Sequence, residues 1–174
     1  MKTLLVTLGD AAGIGPEVIA KLFVVRPVVP DTGIRPVVVG ELDVLRDTAT
    51  RFNLHVRFAE ESAATDGEIP VRSRGLLRAG GYAIGALSPA CGDAAFRYFE
   101  HAVHECLAGR AHGIVTAPLN KEAMNQAGHA FAGHTDILEQ MTGVEGVVMA
   151  LWHPKVVVSH VTDHLPLRAA LDAI

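Results

Sequence analysis

Leu4-Leu5-Val6-Thr7-Leu8-Gly9-Asp10-Ala11-Ala12-Gly13-Ile14-Gly15-Pro16-Glu17 joins a buried strand to a helix through a glycine-rich loop, and this layout decides the fold. Leu4 to Leu8 is a short, continuous apolar run, as expected of a strand covered on both faces. Pro16 suits the first turn of a helix, and Glu17 favours its positive end. The helix is predicted through Glu17 to Phe23, stopping before Pro27. Arg35-Pro36-Val37-Val38-Val39-Gly40 reads as a second strand and Glu41 to Phe52 as the helix after it. Strand, helix, strand, helix implies an α/β protein with a parallel sheet and right-handed crossovers.

Residues 53–88 hold short β-like pieces, Leu54 to Phe58 and Ile69 to Val71, among charges and glycines. They are read as a strand-and-loop excursion leading towards a second lobe. From Pro89 a strong helix is predicted, because Ala95, Phe96, Phe99, Val103, Cys106 and Leu107 recur at helical spacing. Gly113 to Thr116 reads as a buried strand, Lys121 to Ala127 as a short helix and Thr135 to Met141 as another. Val147 to Leu151 and Val156 to Val161 read as paired strands turning around His153-Pro154. Arg168 to Ile174 opens a helix that nothing closes, as though the chain stops within an element. No repeat or low-complexity linker is visible.

Composition narrows the function. With 174 residues and 49% hydrophobic content, the chain can bury one good core, or one domain and part of another. A formal charge of −4 lacks the basic surface that nucleic acid requires. No apolar run approaches the roughly 20 residues that span a bilayer. Residues 1–8 run into Gly9-Asp10 with no cleavage site, so they read as a strand and not a signal peptide. Cys91 and Cys106 are too few for a disulfide scaffold, which makes a reduced, cytoplasmic protein the expectation.

Three segments place polar groups where buried strands end: Gly9 to Glu17, Thr116 to Lys121 with Gly133-His134-Thr135-Asp136 behind it, and Asp163 to Leu167. Such breaks are where α/β proteins hold ligands, and they point to a small phosphorylated or anionic substrate and a metal ion. Gly9 to Glu17 is neither a dinucleotide fingerprint nor a P-loop, since it lacks the third glycine and the Gly-Lys-Ser/Thr. By spacing alone, a plain strand-to-helix turn explains it as well as anion binding does. Asp10 and Lys121 are candidate cleft residues, Lys121 weighed against a simple solvent-exposed lysine at a helix start. Thr135 suits an N-cap, and His134 can reach into a cleft from its loop. His160 and His164 would share one side of a strand, yet no third ligand lies near. His101 and His104, beside Glu100 and Glu105, read as a solvated helix face.

Taken together, the segments resemble the 4-hydroxythreonine-4-phosphate dehydrogenase (PdxA) family. Gly9 to Glu17 matches its Gly-Asp-Pro-Ala-Gly-Ile-Gly-Pro-Glu pattern, with Ala11 in place of proline. Thr116 to Lys121 matches Thr-(Gly/Ala)-Pro-x-x-Lys, and Gly133-His134-Thr135 the Gly-His-Thr motif. Asp163 to Leu167 matches Thr-His-Leu-Pro-Leu, with Asp163 replacing threonine. The resemblance implies a two-lobed α/β fold like isocitrate and isopropylmalate dehydrogenases, working as a homodimer. It implies NAD- or NADP-dependent oxidation of 4-phosphooxy-L-threonine at its secondary alcohol, then decarboxylation, in pyridoxal phosphate biosynthesis. A divalent metal (Zn, Mg or Co) would favour the alkoxide and polarise the ketone. By motif, His134 and Thr135 bind substrate and His164 is one metal ligand, whereas His160 matches no family position.

Family members are much longer, so residues 1–174 are expected to be the N-terminal portion of such an enzyme. Alone, this portion is expected to lack turnover and tight metal binding, and either to self-associate through exposed apolar surface or to be only marginally stable. Two other readings stand beside this one. The same chemistry could act on 4-phospho-D-threonate, 4-phosphoerythronate or another hydroxy acid. A non-catalytic remnant or dimerisation module belongs to a different class.

Overall fold

A computed structural model describes residues 1–25, 33–162 and 165–174. The chain divides into two units, Met1–Phe131 and Ala132–Ile174. In the first, β1 (Lys2–Thr7) leads through the glycine loop to α1 (Gly15–Val25), then β2 (Ile34–Gly40) and α2 (Leu42–Arg51). β3 (Phe58–Glu60), β4 (Ile69–Ser73), α3 (Pro89–Leu107), β5 (Gly113–Thr116) and α4 (Lys121–Gln126) follow. The five strands form one parallel sheet in the order β3-β4-β2-β1-β5. Leu5 pairs with Val37 on one side and Ile114 on the other, so the strand that opens the chain lies inside the sheet.

The expected α/β class is therefore present, but residues 53–88 differ from expectation. Their two short strands join the first sheet, β4 inserting between β2 and β3, and do not lead away to a second lobe. Ile69 and Val71 are buried there, and Glu61 ties the insertion down by accepting from Arg35 (2.9 Å) and Arg72 (2.7 Å). Isolated strands of three and five residues gave little periodic signal for such pairing.

The core is aliphatic where the strands cross, with Leu5, Leu8, Val37, Val38, Val39 and Val71 at its centre. Ile19, Ala20 and Phe23 of α1 close one face, and α3 closes the other with Ala94, Tyr98 and Ala102. Helix α3 starts where Ser88 accepts the Cys91 N–H (3.3 Å), which caps it while Pro89 fills a first-turn position needing no donor. α4 lies so close to α3 that a Cβ on Gly92 would overlap the Ala123 backbone. Only glycine permits that approach.

His101 and His104 do not share a solvated face. His104 is exposed, but Glu105 is buried and accepts from Arg72 (2.8 Å) and Arg110 (2.7 Å). His101, one turn before it, has its Nε2 buried without a hydrogen-bond partner, and burial lowers its pKa. The helix turns this flank towards the Arg72 side chain of β4, which sequence spacing could not reveal.

In the second unit, α5 (His134–Thr142) ends at Gly143 in the left-handed conformation, with φ at 66°. β6 (Ala150–His153) and β7 (Val156–Ser159) pair antiparallel, Leu151 opposite Val158 and Trp152 opposite Val157. The hairpin is as expected around His153-Pro154, although β6 begins three residues later than the sequence suggested. α6 (Leu167–Asp172) closes the described chain.

Candidate functional site at the ends of β1 and β5

β1 leads on to β2 on one side of the sheet, while β5 is added on the other. The strand order therefore reverses between β1 and β5, and in parallel α/β sheets that crevice, at the carboxyl ends of the strands, is where ligands bind. Both loops expected to carry chemistry emerge there. Gly9 adopts φ of +68°, and a Cβ on it would overlap the Pro118 carbonyl oxygen. The Asp10 N–H donates to the same oxygen at 2.9 Å. Gly9-Asp10 and Ala117-Pro118, over a hundred residues apart, thus form one floor.

Asp10 shapes that floor from within. It is buried; its Oδ1 accepts the Ala12 N–H at 2.9 Å and its carbonyl accepts the Gly13 N–H at 3.1 Å. Burial raises its carboxyl pKa, and the Ala12 N–H offsets part of the rise. The loop N–H groups of Ala12 and Gly13 are accordingly used inside the loop, not presented to a ligand. Gly85 donates to the Ala12 carbonyl at 2.7 Å, fastening the 80s loop to the same place. Beneath it the buried Cys91 thiol has its pKa raised by desolvation, consistent with a core thiol.

Lys121 stands at the first position of α4, exposed, as its sequence position suggested. The cap before it is Asn120, whose Oδ1 accepts the Ala123 N–H at 3.0 Å. The structure brings the Asp10 and Lys121 segments to one strand-end crevice. His134 and Thr135 belong to the second unit, and His164 lies outside the described residues. His160 follows β7, past Ser159, and so is not on the strand that would have aligned it with His164.

His134 and Thr135 are the first two residues of α5. The expected N-cap role of Thr135 is not what forms: Gly133 is the N-cap, and it offers no side chain. Asp136 supplies the compensation, reaching back to accept the Ala132 N–H at 2.9 Å. Burial lowers the His134 pKa, which keeps its imidazole neutral around neutral pH. Both residues stand in the first turn of α5, the end of a helix whose N–H groups favour an anion.

One site-adjacent group escaped the sequence reading. Glu41, at the end of β2, is buried and accepts from Gly75 N (3.0 Å), Leu76 N (2.8 Å) and the Tyr98 hydroxyl (3.0 Å). Its signal was available, since Val39-Gly40-Glu41 repeats the strand-Gly-acid layout of Leu8-Gly9-Asp10. It lines a cavity of about 470 Å³ with Asp43, Arg46, Glu60 and Ser73. The polar groups there already have partners, Ser73 donating to Glu60 at 2.5 Å, Arg46 donating to the Phe58 carbonyl at 2.9 Å and Asp43 accepting the Ala79 N–H at 2.9 Å. That cavity is a brace for the 74–79 loop. Among the described residues no three His, Cys, Asp or Glu side chains converge as a metal site, so they do not fit the expected metal by themselves. No helix among them is long and apolar enough to cross a membrane.

Comparison with known proteins agrees with this geometry. Residues 32–174 match the family described as "Pyridoxal phosphate biosynthetic protein PdxA". The chain is 42% identical over 174 residues to the D-threonate 4-phosphate dehydrogenase of Cupriavidus necator, covering 97% of this chain and 50% of that protein. It is 38% identical over 168 residues to the 4-hydroxythreonine-4-phosphate dehydrogenase of Xanthomonas axonopodis pv. citri, covering 95% of this chain and 50% of that one. Among solved structures, a 4-hydroxythreonine-4-phosphate dehydrogenase from Burkholderia phymatum superposes with a TM-score of 0.86 at 34% identity, over 99% of this chain and 53% of that one. A terephthalate 1,2-cis-dihydrodiol dehydrogenase from Burkholderia xenovorans shares the fold, with a TM-score of 0.70 at 24% identity. The chain spans about half the length of these relatives, and it belongs to the PdxA family of dehydrogenases.

Proposed function

We propose that this chain forms the first half of a PdxA-type dehydrogenase that oxidises the secondary alcohol of a four-carbon, 4-phosphorylated hydroxy acid. The observation that carries the reading is the joining of the Gly9 and Pro118 loops at the β1/β5 strand ends, within a chain of this family. Between substrates, 4-phospho-D-threonate is the better supported: the Cupriavidus necator enzyme named for it is 42% identical, and the Salmonella typhimurium relative at 35% carries the same name. The second reading, 4-phosphooxy-L-threonine in pyridoxal phosphate synthesis, is favoured by the family description and by the Xanthomonas relative.

In this reading His134 and Thr135 bind the substrate at the positive end of α5, and the neutral imidazole orients an oxygen without competing for its charge. NAD or NADP would be the hydride acceptor; a divalent metal, for which the motif names His164 as one ligand, would supply Lewis-acid chemistry. Catalytic metals take about three protein ligands, so the remaining ligands are assigned to the half that this chain does not span. Two such subunits make a cytoplasmic homodimer. The exposed β6–β7 hairpin, which carries Trp152, supports a partner there, since lone two-stranded hairpins are marginal in water.

The test is a comparison of initial rates of NAD(P)+ reduction by this chain completed with the second half of the Cupriavidus necator relative. 4-Phospho-D-threonate should give the highest kcat/KM, 4-phosphooxy-L-threonine a lower one, and D-threonate without phosphate almost none. Equal rates with and without the phosphate would overturn the proposal.

A further inference from the structure

We propose that His129 is a positioning residue: pinned to Asp93 and stacked on Phe96, it fixes the last stretch of the first unit, from which the chain runs into Gly133-His134-Thr135. The inference rests on the reading of His134 and Thr135 as substrate-binding residues, and not on which phosphorylated acid they bind.

α4 is six residues long, too short to hold its shape unaided in water. Gly128 closes it, taking a φ of +96° that favours glycine, while the His129 N–H donates to the Met124 carbonyl at 3.1 Å. This turn lays His129 against the first half of α3. Its ring stacks on Phe96 with centroids 3.9 Å apart and planes 14° apart. Its Nε2 lies 2.7 Å from Oδ1 of Asp93. Two residues on, the Phe131 ring lies nearly parallel to the same Phe96 at 5.6 Å, and the Phe131 N–H donates to Oδ1 of Asn125 at 3.3 Å.

Packing alone does not ask for histidine here, because an apolar ring would cover Phe96 as well. An imidazole covers it and also brings a ring N–H to a carboxylate, which makes one of the stronger hydrogen bonds. Asp93 is prepared for that bond, since Arg97 holds its other oxygen at 2.8 Å. Burial would raise the Asp93 carboxyl, but the His129 and Arg97 bonds outweigh it and keep the group below its ordinary value. An ionised carboxylate can only accept, so Nε2 of His129 is the donor.

The anchor is the helix that underlies the crevice floor. α3 begins beneath the Asp10 loop, where Cys91 meets the Ala12 backbone, and Gly92 lets α4 pack on it at backbone distance. Four residues separate His129 from His134, a short link between pin and motif. The side chains of His129 and Asp93 are 21% and 32% exposed, so breaking the pair frees that link without emptying the core.

Two measurements test the proposal: hydrogen exchange on the 174-residue chain, and steady-state kinetics on this chain completed with the second half of the Cupriavidus necator relative. His129→Phe keeps the stack and loses the bond, whereas Asp93→Asn keeps the shape and loses the charge. In each, the His129-position and Phe131 amides should exchange roughly tenfold faster. The KM for 4-phospho-D-threonate should rise roughly fivefold while kcat stays within about twofold. His129→Gln, whose amide can still donate to Asp93, should recover part of both effects. His104→Phe, on the exposed side of α3, should change neither. Asp93→Asn carries the test if His129→Phe does not fold. Unchanged exchange, or faster exchange with KM unaltered, would overturn the proposal. If His134→Ala raises KM and His129→Phe does not, the proposal alone fails. An unchanged KM in His134→Ala would refute the site reading itself, and the proposal with it.

Discussion

Replacing Gly9 by alanine tests the joint on which the crevice depends. Two costs add at this position. An L-residue held at φ of +68° loses about 1–2 kcal/mol. The new Cβ would also overlap the Pro118 carbonyl oxygen and stand 3.0 Å from the Ala117 carbonyl carbon and oxygen. Real Cβ atoms do not approach backbone so closely, and overpacking of this kind costs about 1–3 kcal/mol. If the loops part to relieve it, the 2.9 Å bond from Asp10 N to Pro118 O goes too, worth about 1 kcal/mol. The sum is about 4 kcal/mol, a large part of a typical domain's stability of about 5–15 kcal/mol. With a urea m-value of about 2 kcal/mol/M, the midpoint should fall by about 2 M. Gly109→Ala is the control, since φ there is +72° but nothing lies within 4 Å. It carries the backbone penalty alone, so its midpoint should fall by about 0.5–1 M. Equal losses in the two variants would refute the claim that the β1 and β5 loops are in contact.

Other expectations follow from the same geometry. Tyr98→Phe removes a buried hydroxyl from Glu41, leaving the carboxylate two backbone donors; it should cost about 1–3 kcal/mol in thermal or urea unfolding. At α5, Asp136→Ala should destabilise by about 1 kcal/mol, because it frees the Ala132 N–H, whereas Thr135→Ala should cost only a few tenths; the reverse order would restore Thr135 as the cap. Hydrogen bonds from Arg110 and Arg72 hold Glu105 down to about 2, below its ordinary 4.5. A depressed carboxyl stabilises the fold above its unfolded value, and that contribution is lost as pH falls from about 4.5 through about 2. Glu105→Gln should therefore flatten the acid limb of the stability curve there and leave its slope at neutral pH unaltered.

The sequence was most legible where chemistry and periodicity coincide. Leu4 to Glu17 gave strand, loop and helix because an apolar run, glycines and a proline each point to the same local structure. Residues 53–88 were harder, since β3 and β4 are three and five residues long and owe their place to pairing with β2 across the chain. The contact between Gly9 and Pro118 was equally invisible, being a product of sheet order; only the two motifs it joins could be seen. Thr135 was misread because a Thr before an acidic residue suits a cap, but the helix begins one residue earlier, at His134. Glu105 was misjudged because helical spacing puts it beside His101 without saying that Arg72 of β4 faces that flank. His164, the expected metal ligand, rests on its motif alone.

The most direct measurement of the account is NADH formation from 4-phospho-D-threonate by three samples: this chain, the second half of the Cupriavidus necator relative, and the two together. The account predicts turnover only for the assembled pair, dependent on added divalent metal and falling at least tenfold with His134→Ala. Turnover by the 174-residue chain alone, or an assembled pair that His134→Ala leaves unimpaired, would contradict it.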